Sequence, residues 1–197
     1  MTLERRALSS APELRKSDAG KTAKGYAALF NERADIGGYF YETIARGAFT
    51  ETLKKADVRA LVDHDSGRVI GRSASGTLRL AEDDRGLAVE IDLPDTSDGR
   101  DLAVQLERGD ISGMSFGFRV THDEWDETSD PPSRTIHAID LIEVSAVAFP
   151  AYDGTSIAMR SLEDAKKERE KARDEAAKRA DNYFKRKAET EQKIRRI

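Results

Sequence analysis

Alternation of apolar and polar positions dominates the middle of the chain. From Leu87 to Leu93, the residues Leu87, Val89, Ile91 and Leu93 share one face of a period-two pattern. Met114, Phe116, Phe118 and Val120 do the same, with Ser115, Gly117 and Arg119 facing the other way. Val58, Ala60, Val62 and His64 make a third such face, opposite Arg59, Leu61 and Asp63. Shorter apolar runs at Gly25–Phe30, Leu78–Leu80, Ile136–Ala138 and Leu141–Phe149 read as further strands, the last stopped by Pro150. Between Thr96 and Arg108 the period lengthens. Thr96, Ser97 or Asp98 can cap a helix there, Leu102, Ala103 and Leu106 form its stripe, and Gly109 ends it. A shorter helix follows Gly47-Ala48-Phe49, with Phe49 and Leu53 on one side, and Glu124–Pro132 reads as a polar, acidic loop. Residues 1–23 carry turn chemistry without periodicity and read as a loose arm. Many short strands with one or two helices at irregular spacing predict a mainly β, α+β architecture, an antiparallel sheet or barrel with added helices.

The pattern changes after Arg160. Residues 161–197 are rich in Ala, Lys, Arg and Glu and predict a charged helical tail. Acidic-to-basic pairs four residues apart recur along it, Glu175–Arg179 and Glu163–Lys167 among them, and no a/d seam persists. The expected division is therefore an arm over 1–23, a folded domain over 24–160 and a tail over 161–197.

Charge separates the same segments. Charged residues make up 36% of the 197, above the ~25% norm, and the excess is uneven. The tail holds 13 Lys/Arg against 9 Asp/Glu, leaving 20 against 28, net −8, for the rest. An acidic main body argues against a nucleic-acid binder. The longest unbroken apolar run, Ala146–Tyr152, has seven residues, against the ~20 that span a bilayer. No export signal is visible, so a soluble intracellular protein without membrane partners is expected. Cysteine is absent, which removes disulfides, thiolate zinc sites and a cysteine nucleophile, and three scattered histidines without metal-ligand spacing call for no metal or other cofactor.

Three residues could carry chemistry. His64 ends an apolar strand face where the loop Asp65-Ser66-Gly67-Arg68 begins, so an imidazole there can be anchored by the sheet yet reach a cleft; capping the turn is its structural alternative. Ser115 lies in Gly113-Met114-Ser115-Phe116-Gly117. This is G-x-S-x-G in letters, but a helix precedes it and a strand follows, the reverse of a hydrolase nucleophile elbow. What remains is a hydroxyl facing away from Met114 and Phe116, with glycines that permit close approach. Ser112, in the turn, is a poorer candidate. Glu143 interrupts the apolar Leu141–Val147 and needs a partner, because a desolvated carboxylate is costly. A core ion pair with an arginine satisfies it, and so does orienting a histidine. In the second case His64, Ser115 and Glu143 supply base, nucleophile and acid of a serine hydrolase.

These residues stand within ordered motifs: Gly25-Tyr26-Ala27-Ala28-Leu29-Phe30-Asn31, Gly47-Ala48-Phe49, Leu61-Val62-Asp63-His64-Asp65, Gly113-Met114-Ser115-Phe116-Gly117-Phe118 and Glu143-Val144-Ser145-Ala146-Val147-Ala148-Phe149-Pro150. Over roughly residues 24–161 the series resembles the HK97-type prohead (capsid maturation) serine proteases of tailed phages, which resemble herpesvirus assemblins in turn. The resemblance implies an antiparallel β-barrel surrounded by a few helices. It implies a serine endopeptidase with His64 as base, Ser115 as nucleophile and Glu143, or less directly Asp140, as third member. It implies the major capsid protein and its scaffold segment as partners, inside the immature capsid in the host cytoplasm, with self-cleavage afterwards; the composition break after Arg160 then suggests that residues 161–197 are a tail that is packaged or processed. The assemblins put a second histidine where Glu143 stands, and their oxyanion-hole arginines are replaced here by Pro150-Ala151-Tyr152, leaving a backbone N–H near Ala151 as donor. Oligomeric state stays open, a homodimer included, as does cleavage-site preference. Two rivals remain: a non-catalytic assembly or scaffolding protein, and an esterase-like hydrolase using Ser115 with His122 or His137.

Overall fold

The computed structural model describes residues 3–17 and 20–150 and, further on, 163, 166–167, 170–171, 173–175 and 178–179. The chain divides into two compact units, Met1–Ala158 and Met159–Ile197. In the first, the elements in chain order are β1 (Glu4–Leu8), β2 (Glu13–Ser17), β3 (Gly20–Leu29), β4 (Ala34–Ile36), β5 (Phe40–Ile44), α1 (Thr50–Leu53), β6 (Arg59–Val62) and β7 (Asp65–Arg72). Then come β8 (Leu78–Glu82), β9 (Gly86–Asp92), α2 (Ser97–Arg108), β10 (Gly113–Asp126) and β11 (Ser133–Val147).

The α+β, mainly β expectation holds, and α2 has the caps its sequence announces. Thr96 accepts from the Gly99 N–H at 3.3 Å, and Gly109, at φ +77°, closes the last turn onto Gln105 and Leu106. The barrel does not form. Described strands make two sheets, β1-β10-β11-β5-β4 with β6 and β7 attached through β11, and β2-β3-β9-β8. Neither closes on itself. The reason lies in β11, a single strand of 15 residues where the sequence suggests two. One edge of β11 pairs with β10, and the other takes β5 along Ser133–Ile136 and β6 along Glu143–Ala146, both parallel. Apolar side chains of the two sheets, such as Phe116, Phe118 and Val144 against Ala27, Leu87 and Ile91, form a continuous buried core.

The segment read as a loose arm is ordered over most of its length. β1 pairs with β10, Glu4 opposite Phe118 through Leu8 opposite Met114, and β2 pairs with β3. Charge anchors β1 beside that ladder. Arg6 donates to Glu42 at 2.5 and 2.8 Å and to Glu4 at 2.8 Å, and Arg134 donates to Glu4 at 3.0 and 3.2 Å and to Glu42 at 3.1 Å. All four side chains are buried. Burial alone would lower the pKa of Arg6, but the Glu42 and Glu4 carboxylates outweigh it and hold the guanidinium above its ordinary value. In the second unit the described residues are helical, and Glu175 meets Arg179 at 3.8 Å. Pairs such as Asp181–Lys185 and Glu189–Lys193 lie outside the described residues.

Candidate active site

β6 ends at Val62, two residues before the pattern of alternation does, and Val62 pairs with Asp65. Asp63 and His64 are thus the two central residues of a tight hairpin turn, at φ +48° and +60°. Positive φ at both positions fits a type I′ turn, whose twist matches the flanking strands. Neither residue is glycine, so the turn is strained and must be held from outside. Asp63 does this: its N–H donates to the Ala146 carbonyl at 3.0 Å and its Oδ1 accepts from the Ala148 N–H at 2.9 Å. His64 is thereby carried by a turn fastened to the end of β11, rather than by a strand face.

Two pleats back along β11 stands Glu143, 7% exposed. Its Oε1 lies 2.7 Å from His64 Nδ1, and its Oε2 accepts from the Ser145 hydroxyl at 2.6 Å. A carboxylate only accepts, so the contact calls for the proton on Nδ1; in the neutral ring that leaves the lone pair on Nε2, the tautomer a general base requires. Gly117 lies directly opposite Glu143 on β10. A Cβ there would sit 2.5 Å from Glu143 Oε1 and 3.1 Å from its Cγ. The second glycine of the G-x-S-x-G string therefore makes room for the carboxylate. The first, Gly113, admits the Leu8 carbonyl and the Pro150 ring, which a Cβ would meet at 2.5 and 2.6 Å.

Ser115 pairs with Ser145 on one side and Ala7 on the other. By parity it shares the face of Gly117, Glu143 and Ser145. That face is not open: Ser115 is 2% exposed, and its hydroxyl donates to the Arg6 carbonyl at 2.8 Å. Ser112, the poorer hydroxyl, is spent on the Ala148 carbonyl at 2.7 Å.

The alternative residues lie elsewhere. Asp140 faces Lys55 at 3.9 Å, whereas the carboxylate bonded to His64 is Glu143. His122 and His137 stack near each other, centroids 5.2 Å apart, with His137 3.4 Å from Glu124. His122 is seven positions from Ser115 along β10, roughly 20 Å at ~3.3 Å per residue, so the strand does not bring the two together. Ala151 lies outside the described residues. The cavity of about 520 Å³ on the outer face of the four-stranded sheet, lined by Tyr26, Arg79 and Arg85, contains none of these residues. Ser145 was legible, two residues from Glu143 on the same face of a strand. The role of Asp63 had no sequence signal, because no Asn-Gly or Asp-Gly marks the turn.

Residues 10–168 match the family described as caudovirus prohead serine protease. The chain is 33% identical over 146 residues to the prohead protease of Enterobacteria phage HK97, covering 71% of this chain and 60% of that one. To the prohead protease of Escherichia phage T5 it is 32% identical over 103 residues, covering 52% and 45%. It thus spans less than two thirds of the length of these relatives. The solved structure of the bacteriophage T4 capsid assembly protease superposes with a TM-score of 0.52 at 11% identity, over 74% of this chain and 96% of that one. At that identity the likeness is one of fold.

Proposed function

The chain belongs to the caudovirus prohead serine protease family, and on that premise we propose that it is a serine endopeptidase of capsid maturation in which Ser115, His64 and Glu143 act together. The observation that carries this reading is the 2.7 Å contact of Glu143 with His64 Nδ1, on the sheet face that also holds Ser115. Glu143 fixes the ring and stabilises the imidazolium; His64 Nε2 takes the Ser115 proton as Oγ attacks the scissile carbonyl, then gives it to the departing amine. Water repeats the sequence on the acyl-enzyme and restores the serine.

The substrate we propose is the scaffold segment of the major capsid protein, cut inside the immature shell in the host cytoplasm. Self-cleavage follows, and residues 161–197 form a tail that is packaged or removed. Co-expression of the chain with its capsid protein tests the reading. Ser115→Ala and His64→Ala should each abolish processing, a loss of roughly 10⁴-fold or more, and intact-mass spectrometry of the same shells reports whether the tail leaves. Unchanged processing in both variants would instead favour a non-catalytic assembly protein.

A further inference from the structure

β1 is the outer strand of its sheet and runs antiparallel to the strand that carries Ser115. It precedes the residues that match the family. Its placement commits the nucleophile: a hydroxyl has one proton, and that of Ser115 goes to the Arg6 carbonyl at 2.8 Å. Transfer to a base requires the hydroxyl to turn from this carbonyl oxygen toward the imidazole. The edge of β10 that β1 covers is a row of backbone donors and acceptors, the kind of surface to which an extended peptide adds as a strand. A peptide replacing β1 would inherit that ladder and bring its own carbonyl, at the Arg6 position, to Ser115.

The side chains add a code. Arg6 lies opposite Phe116 and Glu4 opposite Phe118, so both point away from Ser115 into a buried socket. Its walls are Glu42 of β5, against Arg6 at 2.5 Å, and Arg134 of β11, against Glu4 at 3.0 Å. Glu42 and Arg134 also meet each other at 3.1 Å, so the socket remains paired when β1 leaves. A peptide with the two charges exchanged would set like against like in a buried site.

We propose that the edge of β10 from Ser115 to Phe118 is the substrate-binding site, that β1 occupies it as an intramolecular substrate mimic, and that Glu42 and Arg134 select an extended peptide of the form acidic–any–basic, cut after the basic residue. The proposal rests on the endopeptidase reading and deepens it. Ser115 Oγ bonds to the carbonyl carbon of the basic residue as the C–N bond breaks. The hydroxyl proton passes through His64 to the leaving amine, and water releases the new carboxyl group.

The test uses the full chain and two internally quenched peptides. One has the sequence of residues 3–8, and the other has its Glu4 and Arg6 equivalents exchanged. The first should be cut after its second arginine at least ~10-fold faster. The double variant E4Q/R6Q, which weakens the mimic and leaves Glu42 and Arg134 intact, should cut the first peptide about tenfold faster than the unaltered chain. Equal rates on the two peptides, or no cleavage of either by either form, while the capsid protein is still processed through Ser115, overturn the proposal and spare the function. A double variant that melts normally but cuts the first peptide more slowly overturns the mimic. If that variant does not fold, the peptide pair on the unaltered chain decides. Absence of Ser115-dependent cleavage of the capsid protein as well overturns the endopeptidase reading itself.

Discussion

A single missing side chain sets the geometry of the proposed triad. Glu143 can reach His64 because nothing projects from Gly117 on the facing strand. Gly117→Ala should therefore act on chemistry more than on folding. The flexible carboxylate can swing aside, so the melting temperature should move by only a few degrees. Its bond to His64 cannot survive that swing, and kcat should fall roughly 10²–10⁴-fold with KM little changed. Steady-state kinetics beside a thermal melt checks this. A matching collapse of stability would mean that Glu143 has nowhere else to go. Ser145→Ala removes the second support of the carboxylate at 2.6 Å and leaves a largely buried acceptor short of a partner, at about 1–3 kcal/mol.

The element that presents His64 is a hairpin, and it is fastened at both ends. At the turn, Asp63 holds Ala146 and Ala148. At the open end, Arg72 takes Asp57 in a two-pronged grip, with Nε at 2.9 Å and Nη2 at 2.5 Å. That hydrogen-bonded guanidinium holds the Asp57 carboxyl down at about 2, from an ordinary 3.8. A carboxyl depressed in the folded state stabilises above its unfolded pKa and loses that contribution as pH falls through the folded one. The hairpin clasp should thus be intact above about pH 4 and fail towards pH 2. Asp83, Glu90, Asp92 and Asp126 are held low by their own partners as well, so thermal melts across that range should show a drop in both proteins, and Asp57→Asn, weaker at neutral pH, should show the smaller one. This element also shows what the sequence could announce. The cap at Thr96, the stop at Gly109 and the alternation of Met114, Phe116 and Phe118 all follow from local propensity and burial, and all appear in the structure. The turn at Asp63-His64 was hidden because alternation runs on formally through it. What stops the strand there is the grip of β11, which is distant in sequence.

At the scale of the molecule, β1 was illegible for a related reason. Reading by hydrophobic period assigns charges to solvent, and in Leu3-Glu4-Arg5-Arg6-Ala7-Leu8 the charged Glu4 and Arg6 are buried along with Ala7. Only the partners on β5 and β11 make that burial tolerable. The buried part of the cluster is balanced, two carboxylates and two guanidiniums with the less buried Asp123 at its rim, and its halves differ in origin: Glu4 and Arg6 come from one edge strand, Glu42 and Arg134 from the body. Removing one charge is worse than removing a balanced pair, since a lone buried ion has no compensation. Arg134→Met leaves Glu4, Glu42 and the neighbouring Asp123, 2.7 Å away, with Arg6 alone, and should cost about 3–5 kcal/mol. E4Q/R6Q removes one charge of each sign and keeps Glu42 with Arg134, so it should cost clearly less. Urea midpoints of the two variants decide the order. A strand held by a balanced pair can leave without stranding a charge, which is what a substrate mimic requires; if the double variant proves the more damaging, β1 is a permanent member of the sheet.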